Sequence, residues 1–393
     1  MAWQKARCSA REGGAMEEQR ERLRLTRLEQ KPEEEYITVR MPKSSYQAFY
    51  CMENYPMIGR LERDETAMAR AEWNKERYPL PRAYQRRQGT PRGKITGRTM
   101  EDCAFYPGVK HKYWIYTPAQ YDEKTPADLI LFLDGQMYFM PVLKESERRG
   151  TMSDLLDAIP AEGEILLPEG TDNVTDLLDN LIADGKLPPT IAVFLAPGYP
   201  GPGEPVYGTS KGVTNRSVEY DTVSDWFARF VAEEFLPVAL EGYAVTADFM
   251  RHSVVGISSS GIAAFAVAWY ANQLFGNVIA ASPSFGNIRG GNIWPSVIRT
   301  TNEKKNLRAC MCVGKYDADI IFGDWILANR DVASALNYRG YDFRLIVSEM
   351  GHSLTFLKYM IPQALDWFYR GQEVSEQHCE VVRPAPLVTE LPE

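Results

Sequence analysis

The sequence predicts an α/β protein: a three-layer sandwich with helices on both faces of a mostly parallel central sheet, preceded by an N-terminal extension. Three observations carry that expectation. From about residue 93 onward, apolar runs of strand length alternate with segments of helical periodicity. Several of these runs, such as Leu129 to Leu133 and Ile191 to Leu195, are continuously apolar rather than alternating, as strands covered on both faces require. The first 92 residues have a different texture, with many charges and prolines and few strand-like runs.

The bulk composition narrows the function classes. Of the 393 residues, 45% are hydrophobic and 24% charged, ordinary values for a globular chain with a sizeable core. The formal net charge is −8 and the second half has no dense basic stripe, which argues against a nucleic-acid partner. No stretch reaches membrane-spanning length, and the charged opening Met1 to Arg7 is unlike a signal peptide. No membrane partner is expected. The six cysteines lack metal-ligand or redox spacing and read as reduced, buried thiols of a cytoplasmic protein. Neither a metal nor a cofactor is implied, because no His/Cys/carboxylate cluster has ligand spacing.

In chain order, Glu17 to Lys31 reads as a solvated helix or a disordered segment. A modest strand signal at Tyr36 to Arg40 and a helix-like stretch from Leu61 to Arg77 follow. Pro79, Pro81 and Pro91, set among arginines, read as a linker or an arm. Residues 1–92 are therefore expected to pack on the main domain or on a second subunit, and a homodimer through this extension is the one macromolecular assembly suggested. The main domain runs from 93 to 371. It begins with an outer strand, His111 to Tyr116, and a buried one, Asp128 to Leu133, which ends in Asp134-Gly135-Gln136. An acidic insertion from 144 to 171 and a Gly/Pro-rich loop from 197 to 215 flank the strand Thr190 to Leu195. Thr222 to Leu240 is expected to be one helix, with Trp226, Phe227, Phe230, Val231 and Phe235 at helical spacing. Strands are then expected at 253–257, 277–282, 307–313 and 343–348, each followed by a helix. Residues 372–393 form a polar tail expected to hang loose.

The chemistry gathers on the stretch from Arg251 to Phe265. A short apolar run, a tight turn Gly256-Ile257-Ser258-Ser259-Ser260-Gly261 and a helix of small and apolar residues follow one another. A serine at such a corner is lifted above the sheet edge beside the first N–H groups of the helix, as a nucleophile requires. Ser258, two places after Gly256, is the candidate. Ser260 stands where this kind of turn has its second glycine.

Its base must be one of four histidines, His111, His252, His352 and His378. His352 follows the strand 343–348 and suits the serine, acid, histidine chain order. His252 lies at the wrong end of the serine's strand, His111 begins an outer strand, and His378 is in the tail. The acid belongs after the strand 307–313, in Gly314-Lys315-Tyr316-Asp317-Ala318-Asp319. Asp317, at Gly-x-x-Asp spacing, is the assignment and Asp319 the runner-up. Backbone N–H groups of Ser259 and Gln136 are the candidate oxyanion donors.

Taken together, these segments resemble the enterochelin esterase-like branch of the α/β-hydrolases, over about residues 93 to 369. The matching stretches are Tyr113 to Tyr121, Leu133 to Gln136, Asn215 to Asp221, the Ser258 turn, Gly286 to Gly291, Gly314 to Asp317 and Gly351 to Ser353. The resemblance implies an α/β-hydrolase three-layer sandwich whose nucleophile, acid and base fall on Ser258, Asp317 and His352. It implies hydrolysis of a small carboxylic ester of siderophore, acyl or feruloyl type. Relatives with the fold include acyltransferases, and a non-catalytic binding protein that kept the fold is the alternative from another class. The family's Arg-Ser-x-Glu-Tyr segment falls on Arg216 to Tyr220 and implies a substrate rim of Arg216, Glu219 and Tyr220; an ion pair of Arg216 and Glu219 holding the loop is the competing reading. Tyr199, Tyr207, Trp294, Phe322 and Trp325 are candidates for an aromatic wall at that rim, or ordinary core.

Overall fold

The computed structural model describes residues 78–139, 162–167, 173–199, 210–320 and 322–385. The expected strand at 36–40, the helices at 17–31 and 61–77, most of the insertion at 144–171 and Tyr207 lie outside the described residues.

The strands are β1 (Lys94–Met100), β2 (His111–Thr117), β3 (Asp128–Leu133), β4 (Gly163–Ile165), β5 (Thr190–Leu195), β6 (His252–Ile257), β7 (Asn277–Ala281) and β8 (Arg308–Gly314). A small hairpin of β9 (Asp319–Ile320) and β10 (Gly323–Asp324) follows, then β11 (Asp342–Ser348) and β12 (Cys379–Val382). Among the described residues ten of these form one sheet in the order β12-β11-β8-β7-β6-β3-β5-β2-β1-β4. The run from β11 to β5 is parallel, and antiparallel strands finish both edges. This is the mixed α/β architecture that the apolar runs predict. β3, β5, β6 and β7 are buried along their whole length, because helices cover both faces.

One face carries α1 (Val174–Ala183) and, at the far end of the chain, α8 (Leu354–Arg370); their buried residues share a core with Ile130, Phe132, Phe194 and Ile346. The opposite face packs Leu129, Leu131, Val193 and Val254 against α3 (Trp226–Arg229), α5 (Ser259–Tyr270) and α7 (Trp325–Tyr338). α2 (Ser210–Tyr220), α4 (Leu236–Ala239) and α6 (Trp294–Thr300) complete the helices. The single helix expected over 222–240 is instead broken: α3 and α4 are joined by a π-helical segment, Phe230–Phe235. That extra residue per turn lets Phe230, Val231 and Phe235 all point into the core, and Pro237 sits where it needs no helical partner.

Two segments at the chain ends differ from expectation. β1 was not foreseen; its alternating pattern covers an edge by pairing with β2 along seven residues. The described part of the tail, to residue 385, does not hang loose, because Cys379–Val382 pairs antiparallel with Leu345–Ser348 and protects the other edge of the sheet. The described part of the extension, from Tyr78 to Arg92, packs on the domain of its own chain. Tyr78 is buried edge-on against Phe356 and Tyr359, donates to the His378 carbonyl (2.5 Å) and accepts from the Glu349 N–H (3.1 Å). Burial pushes its phenol up to about 12. Tyr84 donates to the Lys358 carbonyl at 2.9 Å, and Arg87 bonds Asn180 on α1 and Asp184 just after it.

Candidate active site

Ser258 sits between β6 and α5 with φ 60° and ψ −124°, a conformation that costs a residue with a Cβ about 1–3 kcal/mol. Surrounding bonds impose it. Its N–H donates to Ala281 on β7 (2.9 Å), and its carbonyl accepts from Ile262 (3.0 Å) and Ser284 (3.1 Å). The Ser258 side chain makes no helix-capping bond, and its Oγ lies 3.4 Å from Ser284 Oγ. Neighbouring Ile257, Ser259 and Ser260 are buried while Ser258 is half-buried, so the turn presents one hydroxyl outward. The serine at 260 is accommodated locally: its Oγ donates to the Ile257 carbonyl (2.7 Å) and accepts from the Ile257 N–H (2.9 Å), folding back onto the turn.

Gly256 is what allows the strand and helix to meet so closely. A methyl there would stand 2.0 Å from the Ser260 carbonyl oxygen, a backbone atom with nowhere to go. Gly256→Ala is therefore expected to destabilise the protein by about 3 kcal/mol and to lower kcat as the corner opens. Urea unfolding together with steady-state kinetics checks both effects.

The loops after β8 and β11 are locked to one another. Lys315 N–H donates to Ser348 (2.8 Å) and Tyr316 N–H to Met350 (3.1 Å). Gly314 makes the approach possible, since a methyl on it would be 1.9 Å from the Met350 oxygen. The result is a 2.7 Å contact between His352 Nδ1 and Asp317 Oδ1. Both side chains are nearly enclosed, 11% and 1% exposed. The other carboxylate oxygen accepts from Ser282 Oγ (2.5 Å) and from the Gly314 N–H (3.3 Å), and Oδ1 also accepts from the Ala318 N–H (2.7 Å). Burial alone would raise the Asp317 carboxyl, but His352, the Ser282 hydroxyl and the Ala318 N–H outweigh it and hold the pKa below its ordinary 3.8. A depressed carboxyl contributes stability that is fully present above its unfolded value and lost as pH falls through the folded value. Asp317→Asn is thus expected to lower stability at neutral pH, with the gap to wild type closing on acidification below about pH 3.8. Urea titrations of both proteins across that range measure it.

The turn after β3 is strained as well. Asp134 is left-handed, with φ 57° and ψ 43°, and opens the 3-10 turn Gly135–Tyr138 that carries Gln136. The Asp134 carboxylate is fully buried and receives two parallel bonds from Arg216, Nε to Oδ1 at 3.0 Å and Nη2 to Oδ2 at 2.7 Å. Its N–H lies 3.4 Å from the Tyr220 hydroxyl, and the Arg216 guanidinium stacks 5.4 Å from the Tyr220 ring centre.

The geometry sorts the candidates that the sequence proposes. Asp317, rather than Asp319, meets His352; Asp319 is exposed on the β9–β10 hairpin. His252 and His111 are buried elsewhere, bonded to Leu274 and Glu219, and His378 is in the tail. The expected rim is corrected in three places. Glu219 is 1% exposed and is tied to His111, Gly198 and Asn215, not to Arg216. Tyr220 is buried under Asp134. Trp325 is core, its Nε1 donating to the Ser282 carbonyl at 3.1 Å, and Trp294 is core beside it. Arg216 does form an ion pair, but with Asp134 and not with Glu219 as the competing reading has it. Tyr199 and Phe322 are partly buried against the two cores. Sequence reasoning passed over Ser282 and Ser284. Their signal was their place just after β7, at the strand end where ligands of parallel sheets sit, but Ser-Pro-Ser there also reads as an ordinary turn. Among the described residues no three His, Cys, Asp or Glu side chains are grouped to hold a metal ion, and no helix is long and apolar enough to cross a membrane.

A mostly parallel sheet whose strand ends carry a serine corner, an acid–histidine contact and a strained 3-10 turn is the architecture of an α/β-hydrolase-fold esterase. The chain belongs to the family described as "Putative esterase", whose model matches residues 106–319, and it is a carboxylic ester hydrolase. That match takes in Ser258 and Asp317 and ends before His352. No curated protein matches the chain in sequence. Enterochelin esterase from Shigella flexneri is similar in structure, with a TM-score of 0.51 and 17% identity over 75% of this chain and 62% of that one. The chain thus spans under two thirds of that esterase. A CE1 ferulic acid esterase from the anaerobic fungus Anaeromyces mucronatus is similar with a TM-score of 0.50 and 15% identity, over 74% of this chain and 97% of that one. At these identities the likeness is one of fold.

Proposed function

We propose that the protein is a serine esterase in which Ser258 attacks the ester carbonyl, His352 takes the serine proton as general base, and Asp317 orients and stabilises the imidazole. The 2.7 Å contact between His352 Nδ1 and Asp317 Oδ1 carries this reading. A carboxylate can only accept, so Nδ1 holds the proton and Nε2 is left with the lone pair that a base needs. The N–H groups of Gln136 and Ser259 stabilise the tetrahedral oxyanion, the alcohol leaves with the proton that His352 returns, and water drawn on by His352 then releases the acid from the acyl-enzyme.

The substrate class proposed is a small carboxylic ester of siderophore, acyl or feruloyl type, supported by the family and by neighbours named as enterochelin and ferulic acid esterases. A fluorophosphonate probe is expected to label Ser258 and to abolish turnover of a panel of acyl, aryl and siderophore-type esters. Turnover that survives complete labelling would overturn the proposal. Product analysis with added alcohols distinguishes hydrolysis from acyl transfer by the same residues.

A further inference from the structure

The stretch Arg216 to Asp221, at the end of α2, reaches the turn that carries Gln136, one of the proposed oxyanion donors. Residues 216, 217, 220 and 221 are one helical turn apart in pairs and so share a face. Arg216 and Tyr220 lie on the turn after β3. Arg216 grips both oxygens of Asp134 and Tyr220 meets its N–H, which holds both the side chain and the backbone of a left-handed residue. The Asp134 carbonyl accepts from the Met137 N–H at 2.9 Å, closing the turn over Gln136. Fixing Asp134 therefore fixes Gln136. The Gln136 side chain is fully buried and among the described residues has no hydrogen-bond partner, so no described bond anchors it.

Asp221 is 3% exposed and accepts from Ser217 Oγ at 2.8 Å, while Ser217 accepts from Arg289 Nε at 3.2 Å. Burial raises the Asp221 carboxyl above its ordinary value, opposed by the Arg216 charge and the Ser217 hydroxyl.

We propose that Arg216 and Tyr220 are positioning residues of the oxyanion site, setting the Gln136 turn through Asp134. This rests on the reading of Gln136 as an oxyanion donor. It accounts for a charged Arg-Ser-x-Glu-Tyr-Asp segment whose members are mostly buried rather than open to substrate. A guanidinium held by two parallel bonds to a buried carboxylate fixes both groups in one geometry, so the turn is stiff before substrate arrives. Stiffness of this kind matters because a displaced donor loses most of its effect on the transition state.

Arg216→Lys keeps the charge and removes the two-point grip; Tyr220→Phe removes one hydroxyl; Asp134→Asn keeps a residue suited to the left-handed region while losing the carboxylate. Arg216→Lys and Asp134→Asn are expected to lower kcat by about 10²-fold with KM little changed, and Tyr220→Phe by a smaller factor. Affinity for a trifluoromethyl ketone, whose adduct carries the oxyanion, is expected to fall by the same factor as kcat, while affinity for the product acid holds. A general structural role would not separate these two affinities. Retention of kcat in Arg216→Lys and Asp134→Asn, with Ser258→Ala inactive, would refute the positioning role and leave the proposed triad standing. A loss confined to KM, with ketone affinity unchanged, would make Arg216 a substrate contact and refute it equally. An active Ser258→Ala would instead remove the triad reading on which this one depends.

Discussion

Ser258→Ala is expected to lower kcat on short p-nitrophenyl esters by about 10⁶-fold, with the melting temperature little changed. The size follows from the covalent route: without the hydroxyl there is no acyl-enzyme, and only the oxyanion donors and substrate binding remain to speed attack by water. Stability should hold because the Ser258 side chain caps nothing, and among the described residues its hydroxyl meets Ser284 Oγ at 3.4 Å. Ser258→Gly takes the same idea further. Glycine adopts φ 60° without strain, so this variant is expected to gain about 1 kcal/mol while being equally inactive. Differential scanning calorimetry beside steady-state kinetics tests the pair. A glycine variant no more stable than wild type would mean that the corner stores no strain.

The second large effect belongs to the acid. Asp317→Asn is expected to lower kcat by about 10⁴-fold with little change in the structure of the loop. Asp317 is not a passive neighbour. Its two oxygens take bonds from His352, Ser282, Gly314 and Ala318, all of which a carboxylate can accept and an amide cannot accept in full. An amide nitrogen turned toward Nδ1 would favour the wrong imidazole tautomer, and the base would then face the serine with its proton already in place. Asp319→Asn, on the exposed hairpin, is expected to leave kcat within about twofold, as for a surface change away from the site. Steady-state kinetics of the two variants side by side assigns the acid.

The fold was legible where burial writes a strong pattern. β3, β5, β6 and β7 are apolar along their length because helices cover both sides, and each was recognisable from that alone. β1 and β12 were not: β12 is an edge strand with one neighbour, and β1, between β2 and the three-residue β4, is only partly buried, so that Lys94-Ile95-Thr96-Gly97-Arg98 carries no run that separates it from a loop. The break in the helix over 222–240 was hidden because a π segment changes the phase of the apolar face without changing its residue types. In the site, the serine corner and the histidine loop were readable because their chemistry has few candidates in this chain. The choice between Asp317 and Asp319 depended on a loop conformation set by Gly314 and Met350, across a strand boundary. The expected substrate rim failed for a related reason. Arg216 and Tyr220 have the polarity of ligand-binding groups, and nothing local in the sequence reveals that Asp134, 82 and 86 residues away, is what they bind.

The most direct test of the central proposal is to trap the acyl-enzyme. A p-nitrophenyl ester with a slowly released acyl group is mixed with the protein, quenched in acid within the burst, digested and mapped by peptide mass spectrometry. The account predicts one acyl group per chain, on Ser258, lost in Ser258→Ala and strongly reduced in His352→Ala. Steady turnover with no acyl group on Ser258, or with the acyl group on a different residue, would contradict it.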